Sequence, residues 1–126
     1  MKNAVRNLVA LSAANSTATA EAKAAVLALA QAKDPEGAAE DAQGRITYTV
    51  EWEPTFKDIK ELSVKFKDVT FTLYADSFAK QHWICKAVYL AGKSTEESTL
   101  SRIDGASFLK VYQEIFGEPF VPAVKV

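Results

Sequence analysis

The sequence predicts an α+β fold, with an antiparallel β-sheet meander in the middle of the chain and helices on either side. Three observations predict it. Apolar and polar residues alternate in successive runs between Arg45 and Gly92, alanine dominates residues 4–33, and helix start and stop signals punctuate residues 94–117. A period of two marks strands with one buried and one wet face. Alanine is the best helix former.

The elements follow in order. Segment 4–13 is ambiguous: Val5, Leu8 and Val9 fit a helix, whereas Val5, Val9 and Leu11 also fit a strand. Residues 17–33 are expected to be helical, capped by Ser16 or Thr17, with Ala22, Val26 and Leu29 on one face. Asp34-Pro35 ends this helix, because the residue before proline avoids helical backbone. Residues 34–44 (DPEGAAEDAQG) read as a solvated linker. The first strand carries Ile46, Tyr48, Val50 and Trp52 inward and stops at Pro54, which cannot donate to a ladder. Leu62, Val64 and Phe66, then Val69, Phe71 and Leu73, read as two further strands. A Lys67-Asp68 turn would join them as a hairpin, or a bulge would make them one continuous strand. Residues 82–91 are apolar on both parities. Their aromatic and β-branched content favours a strand over a helix capped by Asp76 or Ser77 and ended by Gly92. Ser94 and Glu97 have capping-box spacing, so a helix is expected over 95–103, followed after Asp104-Gly105 by a second over 106–116. Phe108, Leu109, Tyr112, Ile115 and Phe116 form the apolar stripe of that last helix, and Gly117 and Pro119 end it. So bulky a stripe calls for a large apolar partner surface.

A chain of 126 residues suits one domain, read here as an alanine-rich segment (1–33), a linker (34–44), the sheet (45–92) and the C-terminal helices (94–117). A net charge of −1 excludes a globally basic nucleic-acid module, so any such binding must be confined to one face. The single cysteine, Cys85, rules out an internal disulfide and makes a reducing compartment the default. No apolar run approaches the ~18 residues of a membrane span. Lys2, Arg6 and Ala18-Thr19-Ala20 imitate a secretory leader, but Leu8 to Leu11 is shorter than the roughly 7–15-residue apolar core a leader needs.

Catalytic chemistry is sparse. His82 and Cys85 would point to opposite faces of a strand, and two ligands do not make a metal site. Glu51 and Glu53 are read as a solvated edge, and no glycine-rich phosphate loop exists. No metal, no cofactor and no enzymatic activity are expected. The sheet's wet face is more informative: Thr47, Thr49, Lys65, Lys67, Thr70, Thr72, Tyr74 and Lys86 are placed on it. Lysines there would neutralise phosphates, hydroxyls would bond sugar or phosphate oxygens, and Tyr74 would stack on an unpaired base of single-stranded RNA.

The segment Val64–Asp76 (VKFKDVTFTLYAD), the run Lys86–Leu90, the glycine turn after it and the expected terminal helices follow one another in an order that resembles the coat proteins of single-stranded RNA bacteriophages. The resemblance covers Arg45 to about Phe116. That family begins with a β-hairpin, which leaves residues 4–33 readable as helix or hairpin. It implies a capsid protein: an obligate homodimer whose terminal helices cross to the partner through Phe108, Leu109, Tyr112, Ile115 and Phe116. Such dimers would assemble into an icosahedral, virus-like shell with the polar sheet face turned inward to RNA. The virion would be its location and the host bacterial cytoplasm its place of synthesis. The alternative is a small α+β protein-interaction (adaptor) module with no nucleic-acid role. A third class, a small-ligand-binding or hydrolytic domain, lacks a catalytic constellation.

Overall fold

The computed structural model describes residues 4–77, 83–101 and 106–117; the side chains of Ser77, Ser101 and residues 106–108 lie outside that description, as does His82. The fold is α+β, a six-stranded antiparallel sheet with three helices. In chain order the elements are β1 (Ala4–Ser12), α1 (Ser16–Lys33), β2 (Ala39–Glu40), β3 (Ile46–Glu51), α2 (Phe56–Lys65), β4 (Thr70–Ser77), β5 (Trp83–Leu90), β6 (Lys93–Ser101) and α3 (Ala106–Phe116). The strand order is β2-β3-β1-β4-β5-β6.

The first segment is therefore a strand, and it lies inside the sheet. Val5, Asn7 and Val9 of β1 oppose Val50, Tyr48 and Ile46 of β3 on one side, and Ser77, Ala75 and Leu73 of β4 on the other. Helix α1 forms where its alanines predict, but its cap is Asn15, whose Oδ1 accepts from Thr17 N (2.8 Å) and Ala18 N (3.3 Å). Its fully buried face is Ala22, Val26 and Ala30, with Leu29 only partly buried. Asp34 closes the helix, and its Oδ2 accepts from Thr49 N at 2.9 Å, occupying a donor at the β3 edge. The linker contributes the two residues of β2.

Two expected elements are corrected. Residues 56–65 form helix α2, so the strand through Leu62, Val64 and Phe66 and the Lys67-Asp68 hairpin are absent. Both periods fit this stretch, and the helix buries Ile59 and Ser63 completely while leaving Val64 half exposed. Residues 93–101 form strand β6 rather than a helix. Ser94 Oγ does donate to Glu97 Oε1 at 3.0 Å, but across an irregularity opposite Val88/Tyr89, where Tyr89 pairs with Ser94 and Val88 with Glu96. The tight hairpin is Ala91-Gly92, with φ of 51° and 80°, as a type I′ turn requires.

Alternation assigns the two faces. Val9, Ile46, Tyr48, Phe71, Leu73, Ala87 and Tyr89 pack with α1 and α2 (Val26, Ile59) in the main core. Helix α3 lies on the opposite face, where Tyr112 and Ile115 pack on Ile84 with Tyr74, Leu100 and Phe116 around them. The bulky stripe thus finds apolar surface within its own chain. Leu109 is half exposed, and the Phe108 side chain lies outside the described residues. Arg6 ties α3 to the sheet: its Nη2 donates to the Tyr112 hydroxyl (2.5 Å) and lies 3.4 Å from Asp76 Oδ2, and its guanidinium sits 3.8 Å from the Phe116 ring centroid. Arg45 completes the attachment, donating to Ile115 O and to Asp41 Oδ2, both at 2.7 Å.

Candidate functional site

Six of the eight residues assigned to RNA do share a sheet face. Register places Thr47 and Thr49 of β3 beside Leu8 and Arg6 of β1, then Tyr74, Thr72 and Thr70 of β4, then Lys86 of β5 opposite Tyr74. Strand β1 intervenes between the two threonine pairs, an arrangement the local pattern does not reveal. Lys65 and Lys67 are not on this face: the first is exposed at the end of α2, and the second follows that helix.

The electrostatics of the face are self-contained. Lys86 Nζ lies 2.9 Å from Glu96 Oε2, a hydrogen bond that raises the lysine pKa, and 6.0 Å from the Tyr74 ring centroid. Arg6 faces Asp76, and Arg45 faces Asp41. Tyr74 packs beside α3, so its ring is partly occupied. What remains toward solvent is a row of hydroxyls rather than a cationic track.

A second feature lies at the far end of β3. Alternation predicts Trp52 as the fourth inward residue of that strand, but its side chain is 70% exposed. Its φ is 77°, and Glu53 N donates to Glu51 O at 3.0 Å. These are the features of a γ-turn with a positive central φ, the rarer and strained form. Among the described residues Trp52 and Ala91 are the two non-glycine positions with positive φ.

A buried polar chain anchors the backbone just after the turn. Asn7 Oδ1 accepts from Thr55 N (3.1 Å) and Thr55 Oγ1 (3.3 Å), and the Tyr48 and Thr55 hydroxyls share a bond of 2.5 Å. Asn7 Nδ2 donates to Val5 O, so the amide is satisfied on both sides. Burial pushes the Tyr48 phenol up to about 12, which keeps it a neutral donor. Because the Thr55 hydroxyl serves this chain, it does not cap α2.

Behind the turn lies a groove of about 550 Å³ lined by Glu53, Pro54, Phe56, Trp83, Cys85 and Thr99. Its floor is a small core cluster of Val5, Ala75 and Cys85, with Phe56 and Trp83 packed on it. Burial pushes the Cys85 thiol up to about 12, so it is an apolar floor rather than a nucleophile. A second depression of about 320 Å³ shares Phe56, Cys85 and Thr99 and extends to Ala87 and Glu97. The one signal of this site in the sequence is Glu51-Trp52-Glu53-Pro54, a tryptophan between two acids directly before a proline.

Among the described residues no group of three or more His, Cys, Asp or Glu is placed to hold a metal ion, and no helix is long and apolar enough to cross a membrane. Comparison with protein-family models, curated proteins and solved structures finds no match for the chain.

Proposed function

We propose that this chain is a small protein-interaction module whose docking surface is the Trp52 turn and the groove behind it. The observation that supports this most strongly is an exposed tryptophan kept in strained backbone. A non-glycine residue in such a conformation costs about 1–3 kcal/mol and persists where the surroundings over-determine it. Here the Glu53 N to Glu51 O bond closes the turn, and the bonds of Thr55 to Asn7 and Tyr48 anchor the chain two residues beyond it. Solvent exposure of a large aromatic beside an aromatic-lined groove gives the strain a use, because tryptophan is enriched among residues that dominate binding energy.

A second reading, a coat protein that dimerises and encloses single-stranded RNA, draws on the shared face of Thr47, Thr49, Thr70, Thr72 and Tyr74. In that reading the threonine hydroxyls contact sugar and phosphate, and Lys86 must exchange Glu96 for a phosphate. Size-exclusion chromatography of the recombinant protein, read at 260 and 280 nm, separates the two. A small species without excess 260 nm absorbance supports the interaction module. Uniform void-volume particles with excess 260 nm absorbance support the shell and overturn the module.

A further inference from the structure

We infer that the Trp52 turn and its groove receive an extended segment of another protein in which an arginine or lysine is followed by a large apolar residue. The inference rests on the interaction-module reading and specifies its ligand. Glu51 and Glu53 flank Trp52, both are exposed, and neither joins an ion pair among the described residues. Elsewhere Glu40, Asp41, Asp58, Asp76 and Glu96 each have a cationic partner within the chain. Glu21, Glu36, Glu61, Asp68, Glu97 and Glu114 are exposed and likewise join no ion pair among the described residues. Of the whole set, Glu51 and Glu53 are the two that flank the exposed indole.

An indole face is the best aromatic platform for a cation, and neighbouring carboxylates deepen the attraction. A guanidinium or ammonium over Trp52 would therefore meet the indole and the neighbouring Glu53, which also lines the groove. The next residue of such a segment would meet Pro54, Phe56 and Trp83, whose surface is apolar and lies over the buried Cys85. The adjoining depression leads to Glu97, also exposed and without an ion pair among the described residues. The surface thus reads acidic, apolar, acidic, and its complement is basic and apolar in alternation. The tight γ-turn fixes the backbone of Trp52 before the ligand arrives, which lowers part of the ordering cost of binding.

Fluorescence titration tests this, since Trp52 and Trp83 both report from the site. The probes are three blocked octapeptides: alternating arginine–leucine, glutamate–leucine and arginine–glycine. The arginine–leucine peptide is expected to saturate the signal, with the other two at least about tenfold weaker. Trp52→Ala, read through Trp83, is expected to weaken it roughly tenfold. The double variant Glu51→Gln/Glu53→Gln is expected to weaken it similarly and to flatten its salt dependence. Unchanged circular dichroism establishes that each variant folds. Glutamate–leucine binding as tight as arginine–leucine would overturn the cation assignment and leave the interaction module standing. Concentration-dependent self-association that Trp52→Ala abolishes would give the groove to a second copy and overturn the inference. No binding by any peptide overturns it too, and void-volume particles rich in nucleic acid would then remove the module reading with it.

Discussion

Replacing Trp52 with glycine is expected to stabilise the fold by about 1 kcal/mol while removing the docking function. Glycine adopts positive φ without the Cβ clash, and the exposed indole contributes little to the core. A urea midpoint that rises in the variant, with the dependence on denaturant unchanged, checks this; a fall would mean that the indole packs more than its exposure implies. Asn7 gives the opposite expectation. Asn7→Ala leaves the Thr55 amide buried without an acceptor and is expected to cost about 2–3 kcal/mol by the same measurement. Neither residue announces its role in the sequence. Asn7 sits in an apolar run where a polar side chain looks like an error, and its partner is 48 positions away. Trp52 continues the alternation of β3, so the pattern assigns it to the core; only the flanking glutamates and Pro54 hint otherwise.

At the scale of elements, the sequence is clear where one period dominates and misleading where two coincide. Strands β3, β4 and β5 and helix α1 lie close to where their patterns place them. Residues 56–66 satisfy both templates: Leu62, Val64 and Phe66 alternate, while Phe56, Ile59, Leu62, Ser63 and Phe66 recur at helical spacing. Tertiary contact decides for the helix, because it buries Ser63, whose Oγ donates to Lys60 O at 2.6 Å and accepts from Gly92 N at 2.9 Å. Ser63→Ala is therefore expected to cost about 1–2 kcal/mol, since it strands the turn amide. Amide exchange at Gly92 that stays as slow as in the parent would refute the role given to that bond. In β6, Ser94 and Glu97 meet as a capping box would have them, yet the meeting comes from an irregular ladder. The side-chain pair was legible; the backbone beneath it was not, because spacing of three fits both.

For the whole molecule, the attachment of α3 depends on the charge of Asp41. Burial raises the Asp41 pKa, but hydrogen bonds from the Arg45 backbone and guanidinium and the Gln43 amide outweigh it, so the net position is below the ordinary 3.8. A depressed carboxylate contributes stability that is present above the unfolded value and lost as pH falls through the folded one. Acid that takes the pH through this lowered pKa, below 3.8, should therefore release Arg45, and with it the tie to Ile115 O at the end of α3. Asp41→Asn is expected to be less stable at pH 7 and to lose less on acidification; parallel stability–pH curves for the two proteins would refute this. Strand order, unlike strand identity, was beyond the reach of local pattern, since β1 pairs with residues 46–51 and 70–77. That placement has a consequence during synthesis. The earliest of the described strands is a central one, and its second partner is complete only when Ser77 has been added, about 65 residues after Ser12. At roughly 5–20 residues per second, Val5, Leu8 and Val9 stay unsheltered for several seconds on the ribosome. The nascent chain is then most exposed to aggregation or chaperone capture at β1, before the groove formed with β5 and β6 exists.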